Sequence, residues 1–487
     1  MITILGGAIL VLGFVLFMVL LDLVGQSRKV LDTVQQAFVT LGDPGLDDRQ
    51  KETRLRGQAG RLFKLFFIIV GICMIALGVP LAIVWLMDKL GWLNLKHVID
   101  MTLSWQFIVG ASIIMIAAAW ISERKKPATK SSETYSGLEK NLHHLAFSTI
   151  PAQISISSLV TRLYAKKLEG IEIENPVFIT ALPRAGTTLL LELCVKTGEF
   201  ISHTYRDMPF VLTPLLWNKF SRIFKQSDEM RERAHGDGMM VNADSPEAFE
   251  EIIWNAWWPS RYRRDRIVPW PVASYPEFET FFRDHIRKLT ALGIEKSGTP
   301  QRYISKNNLN ISRIPYLQAI FPQAIILVPF RSPLQHALSL LRQHKHFTEI
   351  HKTDDFAEYY MRAIGHYDFG ANLRPVDFNK WIKKNQAKSN TLNFWLAYWI
   401  QTYTYLQQTA TPRTRFVSFE ALCQDPKSNL EKIAKYLQLA NPALLLDQAK
   451  RVSLPKSHKV DPGEIDPTLL SRAEALYDEL QKISLVN

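Results

Sequence analysis

Residues 177–198 read VFITALPRAGTTLLLELCVKTG. The opening VFITA (177–181) is a short apolar run of the kind that forms a buried parallel strand. LPRAGTT (182–188) is a tight basic loop. LLLELCVKTG (189–198) is helix-like and stops on Gly198, a residue suited to a C-cap. The order is strand, anion loop, helix. A helix N-terminus offers unpaired N–H groups and the positive end of its dipole to an anion. Gly186 lets backbone approach a phosphate. Thr187 and Thr188 bring hydroxyls, and Arg184 brings a planar fork of donors. Gly186 is followed by Thr187 and not by Lys, which departs from the GK[ST] phosphate loop and disfavours a nucleotide kinase.

Outward from this stretch the pattern repeats. Residues 303–305, 324–330 (AIILVPF) and 415–419 (RFVSF) read as strands. Residues 310–320, 332–345 and 427–438 read as helices. Strands alternating with helices predict an α/β fold, a parallel sheet flanked by helices on both faces. Residues 205–296 are less regular and rich in Trp, Pro and Arg, and are expected to form helices and loops over the cleft.

The first third has another character. Residues 2–21 carry no charge, residues 65–87 are apolar with one Pro, and residues 105–121 are apolar again. Each is long enough to cross a hydrocarbon core of about 30 Å as a helix. Trp85, Trp92, Trp105 and Trp120 lie near the ends of the second and third runs, where aromatic belts sit. A signal peptide at residues 2–21 would need a basic start and a small-residue cleavage site, and neither is clear. Arg28, Lys29, Arg49, Lys51, Arg54, Arg56 and Arg61 separate runs one and two, while only Lys89 and Lys96 separate runs two and three. Arg124, Lys125, Lys126 and Lys130 follow the third. The positive-inside rule puts the first loop and everything after the third span in the cytoplasm. The expected organisation is a membrane domain of three transmembrane helices at 1–125, a linker and helical lead-in at 126–170, and a catalytic domain at 171–487.

The loop PRAGTTLL (183–190) after a strand resembles the 5′-phosphosulfate loop of the sulfotransferase family that uses 3′-phosphoadenylyl sulfate (PAPS). That family has a second signature after a later strand, an Arg and then a Ser eight residues on. Here Arg331 follows AIILVPF and Ser339 stands at that spacing. The resemblance is strongest across these two motifs, runs more weakly over 176–459, and leaves the membrane segment outside. It implies the sulfotransferase fold, PAPS as co-substrate and no metal. It implies a donor site of Pro183, Arg184, Ala185, Gly186, Thr187, Thr188, Arg331 and Ser339. Ser453 and Lys456 fall in SLPKS, similar to a loop that closes over the donor. Ala185 replaces the usual Ser, and Ser332 a common Asp, without removing the charge the donor needs. For catalysis it implies Arg184, Lys306 in YISKNN, and a base on SHTYRDMP (202–209), either His203 or Asp207; if the base lies elsewhere, Glu247 or Glu250 in the region over the cleft comes next. His suits base work near neutrality.

The chain has 487 residues, 47% apolar, with a formal charge of +12, which favours anionic partners. Its three cysteines, Cys73, Cys194 and Cys423, have no metal-ligand spacing and make no disulfide framework. His336, His344, His346 and His351 cluster on one helix without a spacing that suits a metal. RYRRDR (261–266) stands without a nucleic-acid-binding signature, so no nucleic acid is expected. The expected enzyme is an integral protein of the inner membrane, its catalytic domain in the cytoplasm. The expected acceptor is a hydroxyl or amine of a membrane-associated glycan, glycolipid or lipid. The alternatives are a nucleotide kinase and a non-catalytic membrane scaffold with a nucleotide-binding domain.

Overall fold

The computed structural model describes residues 2–23, 25–27, 29–30, 33, 48–102, 104, 107, 137–221, 231–232, 240–384, 388–453 and 465–486. It divides into two compact units, Met1–Ser136 and Gly137–Asn487.

In the first unit the charge-free run forms the helix Ile2–Leu20. The second apolar run is part of something longer, the 42-residue helix Asp48–Lys89. Its basic first part, expected as loop, is rich in good helix formers such as Arg, Lys and Gln and continues the helix without a break. A Cβ on Gly13 would lie 2.8 Å from Pro80 Cγ, so the two helices touch where one has no side chain. Elsewhere the long helix shows large apolar side chains to its surroundings, Phe66 at 58% exposure and Met74 at 69%. Among the described residues one helix, 52–89, is long and apolar enough to cross a membrane. The third apolar run, 105–121, lies outside the described residues apart from Phe107.

The second unit is built on a five-stranded sheet. Its strands are β1 (Val177–Ile179), β2 (Phe200–Ile201), β5 (Arg302–Lys306), β6 (Ile325–Phe330) and β7 (Thr414–Ser418), in the order β2-β5-β1-β6-β7. A separate hairpin pairs β3 (Arg231–Glu232) with β4 (Met240–Val241). Every pairing in the large sheet is parallel. Strand side chains alternate between faces, and here the alternation builds two cores. Phe178, Tyr303, Ile326, Val328 and Phe416 join one, with Trp254, Phe278, Trp395 and Trp399. Val177, Ile179, Ile304, Ile325, Leu327 and Val417 join the other, with Leu190, Leu193, Leu430 and Ile433. Fully burying each such aliphatic or Phe side chain contributes about 1.5–3 kcal/mol.

The expected strands all form, each within two residues of its reading. The helix expected at 310–320 is split, however, into a 3₁₀ turn, Asn308–Ser312, and the helix Ile314–Ile320. Arg313 between them leaves helical geometry (φ −146°) and sends its buried guanidinium to Glu251. β2 was not expected; two residues are too few to show a period. In an open parallel sheet a ligand sits beyond the carboxyl ends of the strands, where neighbouring connections diverge. That place is the end of β1, between β5 and β6.

Candidate functional site

β1 is buried throughout and delivers the chain into the loop 180–186. Arg184 (φ 70°) and Gly186 (φ 92°) both adopt left-handed backbone, which folds the loop tightly before the helix Thr187–Val195. Only glycine fits position 186, because a Cβ there would lie 2.4 Å from the Phe419 ring. Two loop carbonyls are tied to the segment that follows β6. His336 Nε2 donates to the Pro183 carbonyl at 2.8 Å, and Arg331 Nη1 donates to the Arg184 carbonyl at 3.0 Å. The Arg331 guanidinium lies over the Phe419 ring at 5.2 Å. Burial lowers its pKa from the ordinary arginine value, and Glu420 opposes that shift. Its Nε is buried without a hydrogen-bond partner. Burial, reinforced by Arg331, pushes His336 down to about 3, so it donates as a neutral imidazole. Ser339 is half-buried on the helix Pro333–Thr353, which begins two residues after Arg331.

The other wall of the site starts from β5. Lys306, its last residue, is in register with Ile179, the last of β1, and the Asn307 N–H bonds the Ile179 carbonyl at 3.0 Å. Lys306 therefore stands at the same rim as the loop. Thr187 Oγ1 donates to Asn308 Oδ1 at 3.4 Å. Asn308 Nδ2 in turn donates to Asp368 Oδ2 at 3.2 Å, and His366 Nε2 lies 3.9 Å from the same oxygen. Burial lowers the His366 pKa, Asp368 opposes this, and Lys306 adds to it. The segment carrying His366 and Asp368 is pinned by two histidines of the Pro333–Thr353 helix. His344 Nδ1 accepts from the Gly370 N–H and His351 Nδ1 from the Ala371 N–H, both at 3.1 Å. Among the described residues no His, Cys, Asp and Glu groups gather as a metal would require.

Residues 176–378 match the sulfotransferase family. No curated protein matches the chain. Among solved structures the chain is similar to sulfotransferase STF9 from Mycobacterium avium, at 13% identity over 72% of this chain and 86% of that one, with a TM-score of 0.38. It is also similar to sulfotransferase STF1 from Mycobacterium tuberculosis H37Rv, at 12% identity over 71% and 87%, TM-score 0.36. The sulfotransferase domain of the Synechococcus PCC 7002 olefin synthase gives 14% identity over 63% and 98%, TM-score 0.30.

The remaining expected residues fall in different places. His203 is buried, with its Nε2 2.9 Å from His285 Nε2, and burial lowers its pKa to about 4. Asp207 closes a capping box on Thr204, accepting its N–H at 2.7 Å, and burial raises its pKa to about 6. Neither is joined to the loop 183–188 by a described hydrogen bond, whereas Asp368 is joined through Asn308. Glu247 accepts the Tyr205 hydroxyl at 2.6 Å and acts on His366 electrostatically. Glu250 is fully buried and accepts from Trp254 Nε1, Tyr303 OH and Asn310 Nδ2 at 2.8–3.0 Å. Ser453 is exposed, and its carbonyl accepts the Cys423 thiol at 3.3 Å. Two residues earlier, Arg451 pairs with Glu192 of the Thr187–Val195 helix at 3.0 Å. Lys456 lies outside the described residues. Sequence reasoning missed Asn308, His366, Asp368, Phe419 and Glu420. Only Asn308 had a local signal, two residues beyond Lys306 in YISKNN.

Proposed function

We propose that the chain is a membrane-anchored sulfotransferase that moves a sulfuryl group from PAPS to a hydroxyl of a membrane-associated glycan, glycolipid or lipid. One observation carries the reading. The Arg331 guanidinium reaches across 147 residues of sequence to the Arg184 carbonyl, which joins the two donor motifs into one cradle. In this reading the amides of the loop and of the first helical turn, with Arg184, Thr187 and Thr188, hold the 5′-phosphosulfate. Arg331 and Ser339 hold the 3′-phosphate. The buried Arg331 Nε without a partner fits an anion at this place. Lys306 steadies charge on the transferring group. Sulfuryl transfer resembles phosphoryl transfer in asking the protein mainly for position and electrostatic support. Ser453 and Lys456 would close over the donor.

The membrane reading rests on the apolar surface of the 52–89 helix and on the lysine and arginine imbalance between the loops. It sets three spans with the catalytic domain in the cytoplasm. A catalytic domain held beside a membrane favours an acceptor that is part of it.

Arg331→Ala tests the donor site by titration with 3′-phosphoadenosine 5′-phosphate and with its analogue lacking the 3′-phosphate. A charge-assisted hydrogen bond contributes roughly 1.5–3 kcal/mol, so the first ligand should lose about tenfold or more and the second far less. Equal losses for both would sink the assignment. Release of 3′-phosphoadenosine 5′-phosphate from PAPS separates an enzyme from a scaffold.

A further inference from the structure

We propose that Asp368 is the general base that takes the proton from the acceptor hydroxyl, with Asn308 holding its carboxylate in place and His366 beside it. The proposal rests on the sulfotransferase reading and names the part of the site that faces the acceptor.

Five observations converge on this carboxylate. It is two hydrogen bonds from the first residue of the donor helix, through Asn308 to Thr187. It shares this rim with Lys306, whose charge acts on the adjoining His366. Both its contacts, to Asn308 and to His366, fall on Oδ2. Its side chain keeps 11% exposure, and no described hydrogen bond falls on Oδ1. Its segment is fixed from behind by His344 and His351, and the Tyr367 hydroxyl accepts from Asn255 Nδ2 at 3.2 Å. A base must be held within hydrogen-bond reach of the proton it removes, and a loop tied at this many points can do that. His366 is the poorer candidate, because its Nε2 faces Asp368 and its Nδ1 is buried.

The step balances without another reactant. The acceptor oxygen attacks the sulfur of the phosphosulfate as its proton passes to Asp368 Oδ1. The bond from sulfur to the bridging oxygen breaks, and its electron pair leaves with the 5′-phosphate of 3′-phosphoadenosine 5′-phosphate. Lys306, at the end of β5, would steady that departing charge.

The test uses the full-length protein in micelles of dodecyl maltoside, which presents sugar hydroxyls on a lipid tail and serves as acceptor, with water as the second acceptor. Release of 3′-phosphoadenosine 5′-phosphate from PAPS is followed. Asp368→Asn should lower turnover by roughly 10²–10⁴ while affinity for 3′-phosphoadenosine 5′-phosphate stays within about twofold. Asp368→Glu, which keeps a carboxylate, should recover part of the loss, as a purely structural role would not. Should Asp368→Asn fail to fold, Asn308→Ala leaves the base in place but loosens it, and is expected to cost about tenfold in turnover, clearly more than it costs in donor affinity through the lost Thr187 contact. Wild-type release with Asp368→Asn unimpaired, or loss confined to Asp207→Asn, would overturn the assignment of the base and leave the sulfotransferase reading intact. No release by the wild type with either acceptor would overturn both.

Discussion

The two walls of the site are made in opposite ways. The proposed donor wall is strung on two continuous stretches, 182–188 after β1 and 331–339 after β6, each a strand running straight into a helix. The proposed acceptor wall is assembled from Asn308, Glu247, His366 and Asp368, which come from three separate segments and meet only in the folded chain. A ligand with fixed, repeated chemistry can be gripped by backbone and helix ends, which local sequence encodes. A surface facing a variable acceptor is made of side chains whose placement depends on distant packing.

The contrast can be broken most forcefully at Gly186. Gly186→Ala would put a methyl group 2.4 Å from the Phe419 ring at a φ of 92°, where an L-residue costs about 1–2 kcal/mol before the clash is counted. Donor affinity should fall roughly tenfold to a hundredfold by titration with 3′-phosphoadenosine 5′-phosphate, and Phe419→Leu in the same chain should restore part of it. A Gly186→Ala protein with normal donor affinity would mean that the loop backbone does not meet the donor.

Acid should loosen the other wall first. Burial holds His344 at about 4, below its ordinary 6.5, and its Nδ1 must be unprotonated to accept the Gly370 N–H. A histidine with a depressed folded pKa gives its full contribution above 6.5 and loses it as pH falls through about 4. His351, lowered in the same direction by burial, acts alongside it. Between these pH values amide exchange at Gly370 and Ala371 should rise severalfold before that of β1 or β6. His344→Ala should show the same loosening at neutral pH. Exchange that rises equally in both walls would erase the distinction.

The smallest effect is expected at the seam between the C-terminal segment and the donor helix. The Arg451–Glu192 pair is partly exposed, and such pairs contribute roughly 0–1 kcal/mol. Arg451→Ala should weaken donor binding by about fivefold at most, and less at high salt. A larger loss would place Arg451 in contact with the donor.

These differences explain what the sequence made legible. The strand at 324–330 could be read because six consecutive buried residues, Ile325–Phe330, can only serve a sheet covered on both faces. Arg331 and Ser339 could be proposed because the resemblance that names them is carried by a local spacing. His203 looked available because nothing near it in sequence announces His285, 82 residues away, against which it is buried. The histidines on the Pro333–Thr353 helix looked purposeless for a related reason: their partners are backbone N–H groups of a loop, and a backbone donor has no sequence signature. Residues 48–64 were read as loop because their charge decided the topology, yet charge does not interrupt a helix.

That last point has a mechanical consequence. A 42-residue α-helix extends roughly 63 Å, about twice the thickness of a hydrocarbon core. Its charged first part is then a stiff continuation of the apolar part, with a fixed rotational phase. One residue inserted in that part would turn the helical residues before it by about 100° about the helix axis, while a seven-residue insertion would nearly restore the phase. Insertions after Gly57 should therefore be tolerated with a periodicity set by helical turns, which activity measured across insertions of one to seven alanines would reveal; a smooth dependence on length would show that the charged first part behaves as a loose tether.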